Sequence, residues 1–161
     1  MNERLITVDI ADIKVSNDPN VTLVTYALGS CIAVVLYQPT LRAGGMIHYM
    51  LPLASVSPEK AKESPGMFAD SGIPLLFERM YALGCKKPDL IVKVMGGGQI
   101  YDDNNTFAIG QRNYTVLRKI FWKAGVLITA EDVGGHKSRT ARLSIATGIV
   151  TVRSSGTETL L

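Results

Sequence analysis

Residues 21–37 are the part of the chain that sets its fold, and they run Val-Thr-Leu-Val-Thr-Tyr-Ala-Leu-Gly-Ser-Cys-Ile-Ala-Val-Val-Leu-Tyr. Residues 21–28 have the length and composition of a strand, and Gly29-Ser30 interrupts them. Residues 31–37 are a short apolar run rich in β-branched side chains, which predicts a buried strand. Cys31 is therefore expected at the beginning of a buried strand, directly after a glycine-containing turn.

The rest of the chain adds further short strands and only two long helices. Alternation predicts one half-buried strand over residues 5–15, and residues 54–67 lack periodicity and are expected to form a surface loop. Further strands are predicted at 46–51, 89–95, 126–132, 140–147 and 149–153, and helices at 70–83 and 112–124. The chain is predicted to have about eight strands and two helices. Two helices are too few for a doubly wound parallel sheet, in which helices cover both faces. We therefore predict an α+β fold, a mixed β-sandwich flanked by helices.

Length and composition exclude several classes of protein. A chain of 161 residues predicts one domain, 1–161. Hydrophobic residues make up 47% and charged residues 19%, which excludes intrinsic disorder. The net charge of +3 is too small to indicate nucleic-acid binding. With two cysteines, no apolar run of about 18 residues and no secretory h-region, we expect a cytoplasmic protein without membrane insertion.

Cys31 and His48 are the candidate catalytic pair. A thiol at a strand end after Gly29-Ser30 can be exposed on a rigid support, and backbone N–H groups in such a turn can bind an oxyanion. His48 lies inside an apolar strand, where a buried imidazole needs a hydrogen-bond partner. An imidazole beside a thiol is expected to lower the thiol pKa and later to protonate the leaving group. Thr25 precedes Cys31 by an even number of residues, so the pleat can place both side chains on one face.

Each of these residues also has a structural interpretation. Cysteine is among the most buried residue types, so Cys31 can be core filler, and His48 can be a core histidine that is simply hydrogen-bonded. Cys85 follows a helix-ending glycine and is expected to be structural, and His136 lies in a polar loop where a solvated role is expected. The spacing of the two cysteines and two histidines predicts no metal site.

A run of three glycines, Gly96-Gly97-Gly98, follows a predicted strand. It lacks the Gly-Lys-Ser/Thr of a phosphate-binding loop, so a tight turn with close packing is the favoured interpretation. A small-molecule or phosphate site there remains the alternative. Two small basic clusters, Lys137/Arg139/Arg142 and Arg118/Lys119/Lys123, are expected to be ordinary solvated faces.

Five motifs in order resemble the CheD family of chemoreceptor glutamine deamidases. They are Leu28-Gly29-Ser30-Cys31, Gly44-Gly45 through His48 to Leu51-Pro52, Lys93-Val94-Met95-Gly96-Gly97-Gly98, Ile109-Gly110-Gln111-Arg112-Asn113, and Asp132-Val133-Gly134-Gly135 with Arg139 to Gly148. The resemblance covers roughly residues 5–153, nearly the whole chain. Gly98 departs from the alanine that this family often has there, and Tyr101 stands where phenylalanine is frequent.

The resemblance implies a fold similar to toxin-type glutamine deamidases and an enzyme that is a protein-glutamine glutaminase. It assigns Cys31 as nucleophile, His48 as acid and base, Thr25 as the residue that orients His48, and Gly29 and Ser30 to the oxyanion loop. The implied substrate is a glutamine on the cytoplasmic helices of a methyl-accepting chemotaxis protein, with no metal or cofactor. A CheC-type phosphatase is an implied partner, which Tyr101 would contact.

An alternative function is a non-catalytic adaptor that binds and regulates a CheC-type phosphatase in chemotaxis signalling. The combination of Cys31, His48 and Thr25 favours the enzyme, because a pure adaptor has no need of a thiol beside an imidazole.

Overall fold

The structure is a computed structural model that describes residues 2–99 and 108–161. Within these ranges the strands are β1 (Arg4–Thr7), β2 (Ile13–Ser16), β3 (Val21–Leu28), β4 (Ile32–Gln38), β5 (Ala43–Tyr49), β6 (Ile91–Gly96), β7 (Ala130–Val133), β8 (Arg139–Ser144), β9 (Val150–Ser154) and β10 (Thr157–Leu160). The α-helices are α1 (Pro58–Glu63), α2 (Ala69–Ala82) and α3 (Ile109–Ala124). Single 3-10 turns occupy Ala54–Val56, Pro65–Met67 and Lys87–Asp89.

The strands form two five-stranded sheets. The first sheet has the order β1-β3-β8-β9-β10, and the second sheet has the order β2-β5-β4-β6-β7. Each sheet is mixed, because β1 pairs with β3 and β6 with β7 in parallel, whereas the other pairs are antiparallel. The predicted α+β class with a mixed sandwich is confirmed.

The second sheet is the middle layer of the molecule, which explains why β4 is apolar throughout. Ala33 and Val35 face the first sheet and pack in the apolar layer between the two sheets. Val34 and Leu36 face the other way and pack against helices α2 and α3. Since both faces of β4 are covered, every residue of the strand is buried.

Four local predictions were wrong. Arg139, expected on a solvated face, is 1% exposed and pairs with Asp132. Residues 5–15 form two strands in different sheets, because the chain turns at Ala11, whose φ is +68°, and crosses from the first sheet to the second. Residues 54–67 contain the short helix α1, which has no buried residue and therefore no apolar periodicity to find. Strand β10 was missed because all four of its residues are exposed and it pairs with β9 at the edge of the sheet.

Candidate active site

Cys31 lies where the chain crosses from the first sheet to the second. Strand β3 ends at Leu28 in the first sheet, and β4 begins at Ile32 in the second. The expectation that Thr25 and Cys31 share one face of a strand is therefore wrong. A bulge between Thr25 and Leu28, with Ala27 at a φ of +55°, also breaks the alternation of β3. Both side chains instead reach the space between the sheets, each from a different sheet.

Three hydrogen bonds, one to each consecutive carbonyl oxygen, fix the crossing segment 29–31. Gly98 N donates to Gly29 O at 2.8 Å, Asn113 Nδ2 to Ser30 O at 2.9 Å, and Gly97 N to Cys31 O at 2.8 Å. The donors come from the segment after β6 and from helix α3. The half-buried thiol of Cys31 therefore extends from a backbone whose carbonyl groups are fixed.

His48 lies within β5 and is only 2% exposed. Its Cα pairs with Ala33 of β4, so its side chain shares the face of Ala33, which looks toward the first sheet. The strand is fixed on its other side by the β1–β2 turn, since Ala11 N donates to His48 O at 2.7 Å and His48 N to Asp12 O at 3.2 Å.

Thr25 joins His48 across the gap between the sheets. Thr25 is fully buried, and its Oγ1 lies 2.7 Å from His48 Nδ1 and 2.6 Å from Val8 O. A carbonyl oxygen can only accept, so the single hydroxyl hydrogen is donated to Val8 O, and Oγ1 accepts from Nδ1–H. This assigns the tautomer of His48 that carries its proton on Nδ1 and its lone pair on Nε2.

The lone pair on Nε2 lies on the same face as the thiol. Ala33, the partner of His48, follows Cys31 by two residues, and the Cys31 side chain packs in the same inter-sheet layer. Cys31 precedes β4 by one residue and packs on the side of the second sheet that His48 also faces. Within the described ranges the buried Nε2 has no hydrogen-bond partner, so this nitrogen stays available to accept a proton.

Both groups are uncharged near neutral pH. Burial raises the pKa of the Cys31 thiol to about 11, although its own backbone N–H opposes the shift. Burial lowers the pKa of His48 to about 4, against the opposing effect of the Asp9 charge. The expected lowering of the thiol pKa is wrong for the free protein, because loss of solvent outweighs any help from a neutral imidazole. At rest the thiol and the imidazole are both neutral, and among the described residues no hydrogen bond joins the Cys31 sulfur to the buried Nε2.

Comparison with known proteins decides the family. A family model for CheD chemotactic sensory transduction matches residues 50–154. The chain is 56% identical over 151 residues to a protein of Syntrophus aciditrophicus, with 94% of each chain covered. This chain belongs to the CheD family. That relative is named a probable chemoreceptor glutamine deamidase CheD 1.

The chain is also similar to a second CheD relative and, weakly, to a solved structure. A CheD relative of Anaeromyxobacter dehalogenans, named a probable chemoreceptor glutamine deamidase CheD 2, is 52% identical over 150 residues, covering 93% of this chain and 94% of its own. A solved structure from Neisseria meningitidis, of the family-model DUF152, aligns with a TM-score of 0.45 and 12% identity, covering 83% of this chain and 63% of that chain. The CheD family model begins after Cys31 and His48, whereas the relatives align over nearly the whole chain.

The three glycines that resemble a CheD motif pack directly against the Cys31 segment. A Cβ on Gly96, whose φ is +110°, would lie 2.2 Å from the Cys31 carbonyl oxygen. The amides of Gly97 and Gly98 donate to protein carbonyls of the segment 29–31. These amides are therefore already used, which argues against the phosphate-binding alternative and favours close packing.

The remaining predicted positions lie elsewhere. Cys85 is buried in the apolar layer between the second sheet and the helices. The exposed His136 lies 3.0 Å by its Nδ1 from Gln99 O. Tyr101 lies outside the described residues. Residues 2–99 and 108–161 contain no cluster of three metal-ligating side chains and no helix long and apolar enough to cross a membrane.

Asn113 and Asp9, which contact or influence the groups of this site, were not singled out from the sequence. Asn113 shares a helical stripe with Leu117 and Phe121, at spacings of four, and all three are buried. A polar residue on that stripe was the available sign of a special role. Asp9 influences the pKa of His48 only because the β1–β2 turn returns to β5, and nothing in the local sequence predicts that contact.

Proposed function

We propose that this protein deamidates glutamine side chains on the cytoplasmic helices of a chemoreceptor, and therefore acts in the cytoplasm. The observation that carries the proposal is the orientation of His48. Its Nδ1 is held by Thr25, and its free Nε2 lies on the face that Cys31 shares. CheD relatives named as probable chemoreceptor glutamine deamidases supply the substrate class. A thiol and an oriented base on the same face of a sheet are the groups that acyl transfer requires.

The first half of the reaction forms an acyl-enzyme. Because thiol and imidazole are both neutral at rest, the Cys31 proton passes to His48 Nε2 as the sulfur attacks the carboxamide carbon of the glutamine. The C–S bond forms, and the carbonyl π electrons move onto oxygen. His48, now an imidazolium, gives this proton to the amide nitrogen, the C–N bond breaks and ammonia leaves. The glutamine side chain is then a thioester on Cys31.

The second half hydrolyses the thioester. Neutral His48 takes a proton from water, whose oxygen attacks the thioester carbon. The tetrahedral intermediate collapses with cleavage of the C–S bond, and the sulfur recovers its proton from the imidazolium. One water is consumed, and the products are the carboxylic acid and ammonia, which exchange a proton to become a glutamate side chain and ammonium. Thr25 accepts from Nδ1–H throughout, which keeps Nε2 directed at the reacting atoms.

The segment 29–31 supplies the oxyanion site in this proposal. Its three carbonyl oxygens already accept hydrogen bonds from protein donors. The backbone N–H of Cys31 lies against its own sulfur and lowers the thiol pKa. In the proposed reaction this N–H, together with those of Gly29 and Ser30, stabilises negative charge on the substrate oxygen.

The test is mass spectrometry of a chemoreceptor cytoplasmic fragment incubated with the protein. We expect amide-to-acid conversion at specific glutamines, and none with the Cys31→Ala variant. The Cys85→Ala variant is the matched control, because it removes the other thiol and is expected to retain full conversion. Binding of the fragment without conversion by the native protein would contradict the proposal. It would instead favour the adaptor role, in which a CheC-type phosphatase is the partner.

A further inference from the structure

The side chain of Asn113 bridges the segment just before β4, which carries Cys31, and the residue just after β5, which carries His48. It is fully buried in the second turn of α3. Its Nδ2 donates to Ser30 O at 2.9 Å and to Met50 O at 3.0 Å. One side chain thus joins the residue before the nucleophile to the residue two positions after the imidazole.

The backbone of Asn113 adds a third connection to the same region. Its carbonyl oxygen accepts a hydrogen bond from the Tyr49 hydroxyl at 2.8 Å. Tyr49 directly follows His48 and is also fully buried. Helix α3 is therefore fixed to the end of β5 by Tyr49 and Met50, and to the start of β4 by Ser30.

The geometry requires a residue with two donors on one planar group. Both acceptors on Nδ2 are backbone carbonyls, which carry no hydrogen, so the amide cannot be turned around without facing Oδ1 toward two oxygens. Oδ1 itself has no hydrogen-bond partner among the described residues. Serine offers one donor, alanine offers none, and aspartate offers one only when it is protonated.

We propose that Asn113 is a positioning residue for the reaction. It fixes the Cys31 segment relative to the strand of His48, and so sets the distance between the sulfur, the oxyanion donors and Nε2. This inference rests on the proposed function, because the reaction is the one proposed above. A displacement of about 1 Å at a reacting group can cost about 10²-fold in rate.

The first test is steady-state deamidation of the receptor fragment by the full chain. We expect Asn113→Ala to lower kcat by about 10- to 100-fold, while KM changes by less than about threefold, because Asn113 is buried away from the substrate. Asn113→Ser, which keeps one donor, is expected to be intermediate and covers the case in which the alanine variant folds poorly. A kcat equal to that of the native protein in folded Asn113→Ala would overturn the proposal.

A matched control separates positioning from general stability. Gln38 is a buried amide at the opposite end of β4, where its Oε1 accepts from Lys86 N at 2.9 Å. We expect Gln38→Ala to lower the melting temperature as Asn113→Ala does, but to leave kcat unchanged. Equal losses of kcat in Gln38→Ala and Asn113→Ala would show that the effect is only structural and would overturn the proposal.

The pH dependence of kcat in Asn113→Asp distinguishes a positioning role from a purely structural one. A carboxylate between two carbonyls is repelled, whereas the protonated form donates one hydrogen bond. The titratable groups beside it, Cys31 and Tyr49, are both neutral in this range, because burial raises the pKa of each. The ratio of the kcat of Asn113→Asp to the kcat of the native protein should rise as pH falls from about 8 to 5. Circular dichroism checks that the variant stays folded over this range. A flat ratio would contradict the role of the donors.

Alkylation of Cys31 tests the inference independently of turnover. In a Cys85→Ala background, loosening segment 29–31 should expose the thiol, so Asn113→Ala should raise the iodoacetamide rate several-fold and Gln38→Ala should not. If the native protein converts no glutamine, the proposed function fails, and this rate still shows whether Asn113 fixes segment 29–31. An unchanged rate would then overturn the inference.

Discussion

The segments around Cys31 and Cys85 make an instructive pair. Each thiol follows a turn that contains glycine, and burial raises the pKa of both. Cys85 follows Gly84, whose φ is +93°, and packs in the apolar layer beside α2. Cys31 instead lies at a crossing between sheets, on the side of the second sheet that carries His48, whose partner Thr25 comes from the first sheet. The difference between them is therefore the presence of an oriented base rather than the ionisation of the sulfur.

The largest expected effect separates the two thiols directly. Cys31→Ala should reduce the rate of glutamate formation by about 10³-fold or more, because the nucleophile is removed. Cys85→Ala should leave the rate unchanged and lower the melting temperature slightly, because it opens a small space in the core. Rates measured on the receptor fragment, with melting curves for both variants, check this. A large loss of rate in Cys85→Ala would contradict the claim that only Cys31 is the nucleophile.

Removing the His48 imidazole is expected to cause the second-largest loss of rate. His48→Gln deletes the proton acceptor and should lower kcat by roughly 10²- to 10⁴-fold. The exposed His136 provides the control, and His136→Gln should behave like the native protein. Single-turnover deamidation rates at pH 7 would show the difference. Full activity in His48→Gln would mean that Cys31 does not depend on the imidazole.

Thr25→Val tests whether the Thr25 hydroxyl orients the His48 imidazole. Valine keeps the volume but removes the acceptor for Nδ1–H, so the tautomer of His48 is no longer fixed and kcat should fall by about 10- to 100-fold. Thr25→Ser should restore most of the rate, because it retains the hydroxyl. The control is Thr22→Val, which changes another buried threonine of β3. Equal rates for the valine variants at positions 22 and 25 would argue against an orienting hydroxyl.

How much of this the sequence could predict depends on how local each feature is. The buried strand β4 and helices α2 and α3 were predicted because their apolar patterns are local. The candidate residues Cys31, His48 and Thr25 came from local chemistry and spacing, and the resemblance to a family assigned their roles. The crossing at residues 29–31, the bridge through Asn113 and the raised thiol pKa depend on strand pairing and burial. Those are non-local properties that spacing along the chain does not encode.

The smallest expected effect concerns Asp9. Its charge raises the pKa of His48 against the effect of burial, so Asp9→Asn should lower that pKa further. His48 accepts a proton only when neutral, so activity is lost as pH falls through its pKa of about 4. The acid limb of kcat/KM should therefore move to lower pH, and kcat should fall a few-fold at most, because the imidazolium is less stable. Asp89→Asn, in the turn before β6, should leave the profile unchanged. A shift to higher pH would contradict the assignment.

The most direct measurement is the pH dependence of Cys31 alkylation by iodoacetamide in the Cys85→Ala protein, where one thiol remains. The account predicts a rate that keeps rising through pH 9 and a midpoint near 11, because burial holds the thiol neutral until the base acts during turnover. A midpoint at or below about 8.5, the value of a free cysteine, would contradict it. That result would show a thiolate already formed beside an imidazolium, and the distinction between the two cysteines would then be one of ionisation after all.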